Sequence, residues 1–226
     1  TVLITTTTTL PVFTAEEPLR MLVVGDSLMT LIGFGLVRQS EKLPALEVKV
    51  ATKTSSGLVR PDFYDWPKVL AELVAEFRPH VTVMLFGGNE KQNMRYQGKS
   101  LEPFSKEWVA EYARRVSGAI DITTEVGGQV VWVGLPIMRS AKFSETVRTL
   151  NAIYTRVCAD HPGATYVDGY TLFADDAGGY SAYLLDSAGR RKLMRADDGI
   201  HMTNAGGDRA AEAVMEALSA GVRFEP

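Results

Sequence analysis

The sequence is poor in two of the residue types that most often carry chemistry. It has one cysteine, Cys158, and three histidines among its 226 residues. A single cysteine excludes an internal disulfide and any metal site built on several cysteine ligands. The pattern around Cys158 is helical, so a buried apolar role is expected of it. Any histidine-dependent function therefore rests on a choice among three side chains.

Basic charge and long apolar runs are also lacking. The formal net charge is -3 at pH 7, which argues against a general nucleic-acid-binding protein. No apolar run approaches the roughly 18 residues that a membrane-spanning helix needs. The acidic residues show no spacing typical of a metal site, so neither a metal nor a cofactor is predicted. The oligomeric state leaves no signal in the sequence.

The first 18 residues differ in composition from the rest of the chain. They read TVLITTTTTLPVFTAEEP, are rich in threonine, and lack the positive start and cleavage pattern of a signal peptide. We interpret residues 1–18 as a flexible tail or linker and residues 19–226 as a single domain. A tail left by removal of a leader or anchor predicts an exported protein, periplasmic or secreted, although an arbitrary chain boundary explains it as well.

Short apolar runs alternate with stretches of helical periodicity along the rest of the chain. The predicted strands are Met21–Gly25, Leu46–Ala51, Val81–Phe86, Val130–Gly134 and Thr165–Asp168. The predicted helices are Leu28–Arg38, Trp66–Phe77, Trp108–Thr123, Glu145–Ala159 and Asn204–Ala220. This alternation predicts an α/β fold, a three-layer α/β/α sandwich around a parallel sheet. Functional sites of such sheets lie at the carboxyl ends of the strands.

The segment MLVVGDSLMT puts a serine at the carboxyl end of the first predicted strand. One interpretation is that Asp26 or Ser27 caps the helix that follows, since both residue types cap well. The other is that Ser27 is a nucleophile. A serine nucleophile needs a base, and the three histidines are the candidates for it.

The positions of the histidines separate them. His80 and His161 each precede a predicted strand, which puts them at the amino edge of the sheet, away from Ser27. His201 follows the long loop after the fifth strand and lies at the same edge as Ser27. Asp198, three residues earlier, can hold the Nδ1–H of the imidazole and leave Nε2 free to accept a proton.

A serine nucleophile that attacks an acyl group also needs hydrogen-bond donors for the developing oxyanion. The backbone N–H of Ser27 is one candidate, near the start of a helix. The backbone of Gly57, in the loop after the second strand, is another. Asn89, in MLFGGNE after the third strand, can project its side-chain amide inward. Gly87 and Gly88, taken alone, are better explained as turn residues.

Together, these segments resemble the four sequence blocks of the SGNH hydrolase superfamily, the GDSL esterases and lipases. The blocks are GDSL (Gly25–Leu28), the segment with Gly57, GGNE (Gly87–Glu90) and DGIH (Asp198–His201). The resemblance implies a flavodoxin-like fold with a five-stranded parallel sheet. The wider sequence is similar to a poorly characterised bacterial branch whose members are mostly exported and are linked to cell-envelope or polysaccharide esters.

The resemblance also implies a role for each matching residue. Ser27 would be the nucleophile, His201 the general base and then acid, and Asp198 the residue that orients His201. The N–H groups of Ser27 and Gly57, with the side chain of Asn89, would form the oxyanion hole. One departure is visible. The third block of the family usually reads Gly-x-Asn-Asp, and here Glu90 replaces the aspartate in the fourth position. Because Asn89 is intact, activity is expected to survive, and the exchange bears on how the loop is held.

The sequence therefore predicts a serine esterase that hydrolyses short, acetyl-type esters on a carbohydrate or cell-envelope polysaccharide. Basic residues are frequent in the loops at the carboxyl edge, although ordinary solvated surface charge explains them too. Aromatic residues such as Tyr96 and Trp108 could stack on sugar rings, or pack in the core. The predicted substrate contacts are Asp26, Arg95, Tyr96, Arg139 and Arg195.

Other functions remain open at this point. The same triad could pass an acyl group to a sugar hydroxyl, which would make the protein an O-acetyltransferase. A glycan-binding module with an idle triad would keep the fold without the reaction. A flavin or phosphate site at the Ser27 turn is disfavoured because no glycine-rich phosphate motif is present.

Overall fold

The computed structural model of the protein describes residues 10–225. Within this range the strands are β1 (Val12–Phe13), β2 (Leu19–Gly25), β3 (Leu46–Thr52), β4 (Val81–Leu85), β5 (Met94–Tyr96), β6 (Lys99–Leu101), β7 (Gln129–Val133), β8 (Ala164–Val167), β9 (Tyr183–Leu185), β10 (Arg191–Leu193) and β11 (Arg223–Phe224). The helices are α1 (Ser27–Ser40), α2 (Trp66–Phe77), α3 (Lys106–Thr124), α4 (Ala141–Ala159), α5 (Gly169–Leu172) and α6 (Asn204–Ser219).

A five-stranded parallel sheet in the order β3-β2-β4-β7-β8 forms the centre of the protein. The crossovers place α1 and α6 together on one face and α2, α3 and α4 on the other. The predicted three-layer, flavodoxin-like sandwich is therefore confirmed. Every residue of β4 is buried, as expected of a strand covered by helices on both faces. Within residues 10–225, no helix combines the length and hydropathy needed to cross a membrane.

Two helices begin earlier than the apolar periodicity predicts, because serine side chains cap them. The side chain of Ser105 accepts the backbone N–H of Trp108, so α3 begins at Lys106. The side chain of Ser140 accepts the N–H of Phe143 and starts α4 four residues before the predicted bound. Periodicity reports the buried face of a helix, whereas the cap sets where the helix begins.

The small strands were not predicted from the sequence. The β5–β6 and β9–β10 hairpins lie in the two long loops at the carboxyl edge. Strand β1 pairs in parallel with β11, so residues 12–13 of the predicted tail contact residues 223–224 near the end of the chain. Residues 1–9 of that segment lie outside the described part, and its assignment as a tail stays a prediction.

The contact between α1 and α6 brings the two halves of the candidate site together. Ser27 is the first residue of α1, and His201 lies three residues before the start of α6. Glycine is required at the crossing, because a Cβ on Gly207 would lie 2.1 Å from the carbonyl oxygen of Leu31. The close approach of these two backbones thus sets the relation between the serine and the histidine.

We expect Gly207→Ala to destabilise the protein by about 1–3 kcal/mol, because the new methyl group overpacks the crossing. The matched control is Gly118→Ala inside α3, where a Cβ would meet nothing within 4 Å, and which we expect to stabilise by up to about 1 kcal/mol. Urea unfolding of both variants measures the difference. Equal stabilities would contradict the tight crossing.

Candidate active site

Ser27 and His201 meet at the carboxyl edge of the sheet. The Ser27 Oγ lies 2.9 Å from Nε2 of His201, although 174 residues separate the two in sequence. The serine begins α1 directly after β2, while the histidine lies in the turn that leads into α6. With Nε2 unprotonated, the imidazole can accept the proton of the serine hydroxyl.

Asp198 fixes the orientation and tautomer of this histidine. The Nδ1–H of His201 donates to Oδ2 of Asp198 at 2.6 Å, and Oδ1 accepts the backbone N–H groups of Ile200 and His201 at 2.8 and 2.9 Å. Partial desolvation acts to raise the pKa of Asp198, but these hydrogen bonds outweigh it and lower that pKa to about 2. Asp198 is therefore a carboxylate at neutral pH, and its charge would stabilise an imidazolium if His201 took up a proton.

Asp26, rather than Ser27, caps α1. Its carboxylate accepts the N–H of Leu28 at 2.8 Å through Oδ1, and the N–H groups of Gly87 and Gly88 at 3.0 and 2.8 Å through Oδ2. The side chain is completely buried. Its prediction as a substrate contact is therefore wrong, because no face of the carboxylate is left for a ligand. Burial raises the pKa of Asp26, and the three N–H donors and His201 oppose that rise.

Three candidate donors for an oxyanion lie on segments that leave the carboxyl ends of β2, β3 and β4. The Ser27 N–H lies at the first residue of α1, where no helical carbonyl precedes it. In the described chain the buried Gly57 N–H has no acceptor. The Asn89 Nδ2 donates one hydrogen to the carbonyl oxygen of Ser56 at 3.0 Å, which orients the amide and leaves its second hydrogen free.

Glu90, the departure from the family motif, does hold a loop. It is buried, and its carboxylate accepts the N–H of Leu58 at 2.7 Å and the N–H of Val59 at 3.0 Å. The fourth residue of the GGNE block is thus bound to the segment that directly follows Gly57. The partner of Glu90 could not be predicted from the sequence, because more than 30 residues separate the two in the chain.

The predicted basic and aromatic contacts divide into buried and exposed groups. Arg195 is completely buried, its guanidinium donates to the carbonyl oxygens of Ile137 and Ile200, and it lies over the ring of Tyr180. Its prediction as a substrate contact is wrong, because those carbonyl groups and not solvent satisfy its donors. Arg139 is exposed and donates to the carbonyl oxygen of Asp197, the neighbour of the triad acid.

Two further predicted contacts lie in the β5–β6 hairpin. Arg95 is exposed and, with Arg60 and Asn93, lines a surface pocket of about 530 Å³ next to the Gly57 segment. Tyr96 is half-buried, with the guanidinium of Arg114 above its ring. Arg95 shares its pocket with Val59 and Arg60, two and three residues after Gly57, so it remains a candidate for contact with a substrate. The role of Tyr96 stays a prediction.

The remaining chemistry-bearing side chains lie elsewhere. The His80 Nδ1 accepts the backbone N–H of Arg20 before β4, and His161 lies at the end of α4. Trp108 is completely buried and donates to the carbonyl oxygen of Gln92, so it packs in the core. Burial raises the pKa of Cys158 to about 11. In residues 10–225 no group of three or more His, Cys, Asp or Glu side chains could hold a metal ion.

The fold is that of the SGNH hydrolases, as the four sequence blocks predict. The chain belongs to the family described as a protein of unknown function (DUF459), whose model matches residues 20–217. No curated protein matches the chain.

Solved structures share this fold at low sequence identity. A proposed SGNH hydrolase from Slackia heliotrinireducens is 21% identical with a TM-score of 0.62, over 89% of this chain and 99% of that one. An acetylxylan esterase from Geobacillus stearothermophilus is 16% identical with a TM-score of 0.63, over 91% and 94% of the two chains. A GDSL-like lipase from Bacteroides thetaiotaomicron is 12% identical with a TM-score of 0.60, over 92% and 91%. At these identities the likeness shows the fold alone.

We expect Asn89→Ala to lower kcat about a hundredfold or more, because the loss of one oxyanion donor raises the activation barrier by roughly 3 kcal/mol. Asn89→Asp, which keeps the size but replaces the N–H donor by an acceptor, should lower kcat at least as far. Turnover of a p-nitrophenyl acetate substrate measures both, with thermal melting to follow the loss of the bond to Ser56. Near-wild-type turnover in either folded variant would remove Asn89 from the oxyanion hole.

Proposed function

We propose that the protein is a serine esterase that hydrolyses short-chain, acetyl-type esters of a carbohydrate or cell-envelope polysaccharide. The observation that carries this proposal is the continuous contact from Ser27 Oγ through His201 to Asp198. The Gly57 N–H, which has no acceptor in the described chain, and the Asn89 amide complete the apparatus that acyl transfer needs.

The reaction proceeds in two steps. His201 Nε2 takes the hydroxyl proton as Ser27 Oγ attacks the ester carbonyl carbon, and the N–H donors stabilise the tetrahedral oxyanion. The protonated imidazole then gives its proton to the leaving alkoxide, and an acyl-serine remains. Water attacks the acyl-serine with His201 again as base, the carboxylic acid is released, and Ser27 regains its proton.

The exposure of the triad favours water as the acceptor. The side chains of His201 and Asp198 are 43% and 46% exposed, so water has access to the proposed general base. Transfer of the acyl group to a sugar hydroxyl would use the same atoms but must compete with this water. The intact contact between Ser27 and His201 also argues against a binding module with an idle triad.

The pocket beside the Gly57 segment supports a polar, anionic alcohol part of the substrate. Five of its seven lining residues have polar or charged side chains, namely Arg60, Asp62, Asn93, Arg95 and Ser100, and the other two are Val59 and Pro61. Arg60 is paired with Asp62, whereas the Arg95 guanidinium has no acceptor in the described chain. Such a lining suits a hydroxylated and acidic glycan better than a long acyl chain. An acetylxylan esterase shares this fold, so the fold is compatible with a substrate of this class.

We expect Ser27→Ala to abolish turnover of p-nitrophenyl esters and labelling by a fluorophosphonate probe. The matched control is Ser117→Ala, because Ser117 Oγ also lies 3.0 Å from a histidine Nε2, that of His161, but on the opposite edge of the sheet. This control should keep full activity. In an ester series, kcat/KM should be highest for acetate and fall with chain length. Labelling that persists in Ser27→Ala, or a preference for long chains, would contradict the proposal.

We expect Arg95→Gln to raise KM severalfold for an acetylated acidic polysaccharide and to leave p-nitrophenyl acetate turnover unchanged. Added salt should raise the wild-type KM for the acidic polymer in the same direction, since an exposed cation is screened. Arg156→Gln, in the last turn of α4 and exposed, is the control at the other edge. Equal effects of the two substitutions would exclude a specific role for Arg95.

A further inference from the structure

The backbone that follows Gly57 is held from both of its sides. Its N–H groups at Leu58 and Val59 donate to the carboxylate of Glu90. Its carbonyl groups at the same two residues accept from Nη1 of Arg115, at 2.8 and 3.1 Å. Four backbone groups next to a predicted oxyanion donor are therefore fixed by two charged side chains from different parts of the chain.

Arg115 is itself held in place. Its Nε donates to Oε1 of Glu111, one turn earlier on α3, at 2.8 Å. Its Nη2 donates to the carbonyl oxygen of Arg95, in the β5–β6 hairpin, at 3.1 Å. The guanidinium thus joins α3, the Gly57 loop and the hairpin that borders the polar pocket. A planar fork of donors suits three backbone acceptors in this way.

Glu90 lies in surroundings that make a carboxylate unfavourable. Burial raises the pKa of Glu90 to about 7, with a further rise from Asp26, while the N–H groups of Leu58 and Val59 and the nearby Tyr112 hydroxyl lower it. An apolar side chain would avoid this cost, and burying a carboxyl group is favourable only when donors satisfy it. The donors that satisfy Glu90 are backbone N–H groups of the loop after β3, at the carboxyl edge of the sheet.

Only glycine fits at residue 57, because the carboxylate of Glu90 lies against it. A Cβ at residue 57 would be 2.6 Å from Oε1 of Glu90 and 2.8 Å from its Cδ. The carboxylate therefore packs directly on the Cα of Gly57 while it binds the next two N–H groups. The orientation of the peptide that carries the Gly57 N–H follows from this contact.

We propose that Glu90 is a positioning residue for the oxyanion hole, which holds the Gly57 N–H in register with the Asn89 amide, with Arg115 holding the other side of the same backbone. This inference rests on the proposed esterase function. Glu90 touches no substrate: it is the residue after Asn89 and binds the residue after Gly57, so one side chain links two of the three donors. Its effect is thus on the transition state, where the oxyanion forms, and not on binding of the ester.

The test compares Glu90→Gln and Glu90→Asp with wild type. Glutamine keeps the size but turns one acceptor into a donor that faces a backbone N–H. Aspartate keeps the charge but is one methylene too short to reach both Leu58 and Val59. We expect each to lower kcat for p-nitrophenyl acetate about a hundredfold, as a displacement near 1 Å can, with KM within about twofold of wild type. Gly57→Ala should lower kcat similarly, and Glu90→Gln should add little in the double variant, because both act through one peptide.

The control is Thr123→Val, which removes a buried hydrogen bond to Thr82 at the far end of β4. It should lower the melting temperature without changing kcat. Amide exchange gives a readout that needs no turnover: the Leu58 and Val59 N–H groups should exchange faster in Glu90→Gln than in wild type or Thr123→Val.

Wild-type kcat in folded Glu90→Gln, or a loss that is fully additive with Gly57→Ala, would overturn the proposal. Unchanged amide exchange at Leu58 and Val59 would also overturn it. A wild-type protein that neither hydrolyses esters nor labels at Ser27 would instead refute the esterase function, and with it any catalytic role for Glu90. Melting temperatures of all variants separate loss of fold from loss of position.

Discussion

The carboxylate of Asp26 is the contact on which the geometry of the site depends. It is buried, pairs with no Lys or Arg side chain in residues 10–225, and is satisfied by three backbone N–H groups, from Leu28, Gly87 and Gly88. A buried charge of this kind is tolerated only when its hydrogen bonds are complete. The acid therefore imposes a fixed relation between the start of α1 and the loop after β4. Ser27 follows Asp26 in the chain and Asn89 follows Gly88, so the proposed nucleophile and one proposed donor are each one residue from atoms that this carboxylate holds.

Glu90 extends the same principle to the third donor. Its carboxylate binds the backbone beyond Gly57 and follows Asn89 directly, so two buried acids connect all three donor segments. Preorganised donors of this kind need no rearrangement when the oxyanion forms. The arrangement costs stability. The pKa of Glu90 is raised from 4.5 to about 7, so its contribution to folding is complete below the lower value and is lost as pH rises through the upper one. Near neutral pH the burial of Glu90 therefore lowers the stability of the protein at its proposed active site. Such a trade-off is common at active sites.

The sequence predicted the sheet, its main helices and the edge at which the chemistry lies, because these depend on local patterns. The alternation of apolar runs with helical periodicity marks β2, β4 and α1, and the order of the strands places Ser27 and His201 at one edge. Burial of individual charged side chains could not be predicted this way. Asp26 and Arg195 belong to residue types that usually lie at the surface. Both are nevertheless buried, because backbone groups far away in sequence form hydrogen bonds with them. For the bidentate contact of Glu90, the only indication in the sequence was the departure from the family motif. For the contact of Arg115, the sequence holds no indication.

Two serine–histidine contacts occur within residues 10–225, and their comparison shows what makes one of them a candidate active site. His201 uses separate nitrogens, Nδ1 for Asp198 and Nε2 for Ser27, so the carboxylate orients the ring while Nε2 stays available for the serine proton. His161 turns its Nε2 towards both Ser117 and Asp121, while its Nδ1 faces a carbonyl oxygen. Ser117 also lies inside α3, where backbone N–H groups bond along the helix, whereas Ser27 begins α1, where such groups have no helical acceptor and the helix dipole favours negative charge. The residue types are the same in both places. The strand end and helix start around Ser27 supply donors at one of them, and this is why the proposed reaction is assigned to Ser27.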